Sequence, residues 1–160
     1  MLKPKPGFAT TAMTRLALGP VLFVLATGAL VKPASADPQA EGVYRKVMEA
    51  EGRVVKALTA KDGKALASVA SGLGPTIEAA MARQQAGQRA SACDLAAHSL
   101  AFLAVSAAGV FNYSGEARRL LLGDARTAAG NFKTDMSACE GLLGRNAGNH
   151  TSAEKALRAL

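Results

Sequence analysis

Residues 95–111, LAAHSLAFLAVSAAGVF, carry no formal charge over seventeen positions. At 100° per residue on a helix, Cys93, Ala96, Leu100, Leu103, Ala107 and Phe111 fall on one side, and Leu95, His98, Phe102, Val105 and Gly109 fall on the other. A helix that is apolar all round is buried all round. Any fold for this chain must therefore put neighbours on both sides of this segment. A bundle of helices covers only one face, so the second face needs its own cover. The nearest candidate is the chain's C-terminal helix; the alternatives are a second copy or a protein partner. The face carrying Leu95, His98, Phe102 and Val105 is accordingly a predicted contact surface. If His98 is buried there in its neutral form, the contact weakens as pH falls past the ordinary histidine value of about 6.5.

The segments around it also read as helices. Asp37-Pro38 opens the first, with Asp as the cap and Pro in the first turn, where its missing N–H costs nothing. Val43, Val47, Val54 and Leu58 make its apolar stripe. Lys61-Asp62-Gly63 is a turn, with Asp62 capping a second helix whose stripe is Leu66, Val69, Leu73, Ile77 and Met81. Gly74-Pro75 lies within that stripe, and a Pro there predicts a kink or short break. Ser91-Ala-Cys-Asp94 has the form of a capping box for the third helix. Ser114 is a candidate cap for the fourth, which carries Leu121, Ala125, Ala128, Phe132, Met136, Cys139 and Leu143. Thr151-Ser-Ala-Glu154 announces a short last helix. The predicted fold is all-α: an up-down-up-down four-helix bundle over residues 37–143, then a loop and short C-terminal helix over 144–160.

Residues 1–36 read as a secretory signal. A basic start leads to an uncharged apolar run over residues 16–31, followed by Ala34-Ser35-Ala36 ahead of Asp37. A run of sixteen residues is short of the roughly 20 that a stable membrane span needs. Cleavage after Ala36 is the expectation, with no stable membrane span in the product and a periplasmic or secreted location. Lys3, Lys5, Arg15 and Lys32, unopposed by any acid, sit in this leader, so only +3 of the net charge of +7 belongs to the rest. That is little pull on a polyanion. With aromatics at 4% and no Trp, there are few stacking platforms, and nucleic acid is not an expected partner.

The two cysteines, Cys93 and Cys139, stand at matching ends of an antiparallel helix pair. In an exported chain they are expected to form a disulfide. A corner at Tyr113 leaves them out of register by about 9 Å at 1.5 Å per residue. No C-x-x-C marks a redox pair. His98 with Met81 or Met136 is the low-ranked candidate set for a metal or haem, against the ordinary use of Met as core filler. In length, export and helix count the chain resembles exported four-helix cytochromes, which implies haem as the alternative cargo. Covalent attachment there uses C-x-x-C-H, and Cys139-Glu-Gly-Leu142 departs from it at the second Cys and at the His, so no family is assigned and no cofactor is expected.

Arg119, Arg126 and Lys133, continued by Glu140, read as a solvated outer row on the fourth helix. Glu49, Glu51 and Glu78 read as ordinary charged-face residues. Asp94 and His98, four apart, could share a hydrogen bond. Asn149-His-Thr151 has the glycosylation sequence and is read as coincidental. Neither H-E-x-x-H, G-x-S-x-G nor a phosphate-binding Gly loop is present. The expected function is that of a small exported helical protein, a non-enzymatic binding or structural module. A homo-oligomer or a protein partner would engage it through helix 3. The alternative is a haem or metal carrier.

Overall fold

Five helices and no strand occupy residues 37–160, the part that the computed structural model describes. The leader and its cleavage site lie outside the described residues. Helix α1 spans Pro38–Ala60, α2 Gly63–Gln85, α3 Ala92–Asn112, α4 Gly115–Leu142 and α5 Ser152–Arg158. Three starts follow the predicted chemistry. Asp37 accepts from the Gln39 N–H at 2.9 Å, Asp62 accepts from the Ala65 N–H at 2.9 Å, and Ser91 and Asp94 close a reciprocal capping box. Two starts do not. Ser114 makes no side-chain cap bond, and neither does Thr151, whose hydroxyl donates to Asn149 instead.

Helix α2 runs through Pro75 without a break, contrary to the expected interruption. Pro75 is exposed, which puts this stretch of the helix at the solvent-facing surface. The carbonyl that loses its partner there can turn to water, so the helix continues.

Helix α3 is the centre of the structure. It packs most extensively on α4, then on α2, and also touches α1. Leu100 and Leu103 are fully buried, each stabilising the fold by roughly 1.5–3 kcal/mol relative to exposure. The α3–α4 corner sits further along the chain than Tyr113. Gly109 against Leu121, Ser99 bonded to Asp135 and Cys93 bonded to Cys139 share one antiparallel register centred near Glu116. Moving the centre three residues changes the offset by six residues. That removes the predicted mismatch of about 9 Å.

Helix α5 does not cover α3. It packs on α1 and α4, which scarcely touch one another, and it seals the seam between them with Ala153 and Leu157. The expectation that the C-terminal helix covers the second face of α3 is therefore corrected. The apolar stripe of α5 is short, Ala153 and Leu157, and it meets α1 and α4.

Candidate functional site

Two features of the surface and near-surface stand out. The first is the outer face of α3. Leu95, Phe102 and Val105 remain 47%, 49% and 56% exposed, and His98 is exposed beside them. Together with α2 this face forms a groove of about 500 Å³, with buried Ala70, Ala101 and Ala108 at its floor and Ile77, His98, Phe102 and Val105 also lining it. The alanines leave the groove wide because they carry no side chain beyond Cβ. Exposed Met81, further along α2, adds to the apolar surface. Isolated exposed apolar residues are ordinary; several in a row along one groove are not.

The second feature is a buried ionic node that the sequence did not suggest. His150 is 5% exposed, Glu140 3% and Glu51 8%. His150 Nδ1 lies 2.8 Å from Glu51 Oε2, and Nε2 lies 3.1 Å from Glu140 Oε1, both within hydrogen-bond distance. Glu140 also accepts from the Gly148 N–H at 2.5 Å and from the Tyr44 hydroxyl at 3.3 Å. The Phe132 ring meets the imidazole edge-on at 5.8 Å between centroids. Arg145 lies over the Tyr44 ring at 4.6 Å and pairs with Glu41 at 2.6 Å. Both ring nitrogens of His150 face carboxylate oxygens, and only the imidazolium offers two donors.

The electrostatics agree with that geometry. Burial by itself would lower the His150 pKa, but the hydrogen bonds to Glu51 and Glu140, with their negative charges, outweigh it and hold the ring above its ordinary 6.5. Burial would raise the Glu140 carboxyl, but the Gly148 N–H and His150 reverse this and hold it below its ordinary 4.5. Tyr44 is pushed above 10.0 by burial and then by the Glu140 charge, so it stays protonated.

Glu51 and Glu140 are buried, which corrects their reading as charged-face residues. Arg119, Arg126 and Lys133 are exposed as expected, but Glu140 turns inward with Met136 and Cys139. A signal was available. Glu51 stands four residues after Val47 and three before Val54, and Glu140 four after Met136, so each occupies a position that completes an apolar stripe. Two acids on core faces of different helices call for a buried cation.

Cys93 and Cys139 are bonded, with Cα atoms 4.7 Å apart, and join the ends of α3 and α4 remote from their corner. Asp94 does not bond His98. It accepts from Arg83 at 2.7 Å and from the Ser91 N–H and hydroxyl. Met136 is fully buried, whereas Met81 is half-exposed and His98 is exposed in the groove, so the three are not gathered on one cavity. Among the described residues no group of three His, Cys, Asp or Glu side chains is arranged to hold a metal ion. No known protein family, no curated protein and no solved structure matches the chain.

Proposed function

We propose that this chain is an exported, disulfide-braced four-helix bundle with a short fifth helix, acting by binding rather than by turnover, and that its binding surface is the α2–α3 groove, occupied by a second copy. The observation that carries the reading is the half-exposure of Phe102 and Val105 in the groove, with Leu95 exposed on the same helix. The same surface holds both protruding side chains (Phe102, Val105) and an alanine floor that can receive them. A two-fold interface uses the same patch on both copies, and a patch with both protrusions and alanines meets that requirement in kind. Residues 95–111 carry no formal charge, so a contact through this face sets no like charges of α3 against each other. Export is supported by the three-part leader and by the bonded cysteines, since disulfides persist in oxidising compartments.

Sedimentation over a concentration series tests this. The residues after the leader should pass from monomer to dimer, and Phe102→Asp should hold them monomeric with unchanged helical circular dichroism. A wild-type chain that stays monomeric at millimolar concentration would show that the groove does not serve a second copy.

A further inference from the structure

The segment after α4 is held by a short apolar stripe and by a polar grip concentrated at one node. Residues 144–151 contain no helix, and α5 is only seven residues long, too short to hold itself together in water. Its apolar grip is Ala153 and Leu157. Its polar grip is concentrated in the node: His150 to Glu51 on α1, His150 to Glu140 on α4, and the Gly148 N–H to Glu140. The outlying bonds are Arg145 to Glu41, on the exposed side, and Arg118 to the Leu160 carbonyl at 3.1 Å. One side chain, His150, thus bridges the two helices whose own contact is slight.

We propose that Glu51, His150 and Glu140 form a proton-dependent latch that holds residues 144–158 as a strap across the α1–α4 seam, and that loss of one imidazolium proton releases the strap. The geometry makes the proton necessary. A neutral imidazole keeps one N–H and satisfies one carboxylate. Its other nitrogen then presents a lone pair to a carboxylate oxygen about 3 Å away, and attraction becomes repulsion among three side chains that are largely buried. The other charged and titratable groups around the node do not substitute for that proton. On α1, Tyr44 already donates to Glu140, and Glu41 is engaged by Arg145. Arg145 itself stacks on Tyr44 rather than reaching the carboxylates. On α5, Glu154 faces Arg158 and, on α4, Lys133. Release would uncover the edge of the His150 site and the seam that Leu157 fills.

The direction with pH follows from linkage. The ring is held above 6.5 in the closed state and returns to about 6.5 when the strap is free. The latch is at full strength below 6.5 and is lost as pH rises through the closed-state value, the opening constant increasing about tenfold per pH unit across that interval. On the acid side, the latch weakens as pH falls through the depressed Glu140 value.

Amide hydrogen exchange read by mass spectrometry, with the bonded cysteines intact and rates corrected for intrinsic exchange, tests the latch. From pH 6.5 up to the closed-state His150 value, the wild-type peptides covering 144–158 should lose protection about tenfold per unit and then level off, while α3 amides around Leu100 keep theirs. His150→Gln, which cannot titrate, should show low protection with no pH slope. Glu140→Gln supplies an amide donor to the neutral ring nitrogen and should flatten the slope with the strap closed. A flat wild-type profile would overturn the proposal. So would parallel loss of α3 protection, which would mean global unfolding, or an undiminished slope in His150→Gln. The wild-type measurement decides even if a variant does not fold.

Discussion

Breaking the Cys93–Cys139 bond is the most direct probe of how this fold is braced. The bond spans 46 residues and closes the end of the α3–α4 pair opposite its corner. With the corner linked by chain and the far end by sulfur, the unfolded protein cannot separate these two helices fully. In the chain-entropy account a loop of 46 residues stabilises the folded state by about 4 kcal/mol. Stabilities of single domains run about 5–15 kcal/mol, so the reduced protein should still fold, with much of its margin gone. The clean comparison is oxidised against reduced wild type, because reduction keeps both buried sulfur volumes in place. Reduction in denaturant, refolding with reductant present and urea titration followed by circular dichroism give the two midpoints. With a slope of about 2 kcal/mol/M, the midpoint should fall by about 2 M. A fall below about 0.5 M, or two free thiols in the unreduced protein, would refute the reasoning. The first outcome would mean that the α3–α4 packing already constrains the unfolded chain; the second, that the bridge does not form.

Three further outcomes follow from particular contacts. Pro75→Ala restores a hydrogen bond in an otherwise continuous helix and should stabilise by about 2 kcal/mol, a rise of several degrees in Tm by calorimetry. At Gly148 an added Cβ would stand 2.8 Å from His150 Nε2 and 3.0 Å from Glu140 Oε1, so Gly148→Ala should cost about 1–3 kcal/mol and make residues 144–158 protease-sensitive at neutral pH. Burial would raise the Asp94 carboxyl, but bonds from Ser91 and Arg83 hold it below its ordinary 3.8. Its stabilising effect is therefore complete above about 4 and lost as pH falls through the folded value, and Asp94→Asn should reduce the acid sensitivity of the urea midpoint while lowering stability at pH 7.

Much of the local structure was legible because its causes are local. A cap bonds within three residues of itself, so Asp37, Asp62 and the Ser91–Asp94 box could be read directly and proved correct. Five helices in the expected order follow from apolar periodicity, and the cysteine pair from the matching ends of two consecutive helices. Ser114 and Thr151 show the limit even here. Each has the right side chain at a helix start, and each makes no cap bond, because that bond also depends on the approach of the preceding chain.

Neighbours across the bundle were decided only by the tertiary structure. A helical wheel says which residues share a face, not which helix meets it. It showed that α3 is apolar all round, and it could not say that α5 would choose the α1–α4 seam and leave Leu95, Phe102 and Val105 open. The node is the sharper case. Glu51 and His150 are 99 residues apart, and His150 and Glu140 are separated by a loop without periodicity. Each acid alone reads as a surface charge, and the histidine as part of a polar loop. Only when the α1 and α4 stripes face a common seam are two carboxyl groups buried together, and only then does a histidine between them have a partner at each ring nitrogen.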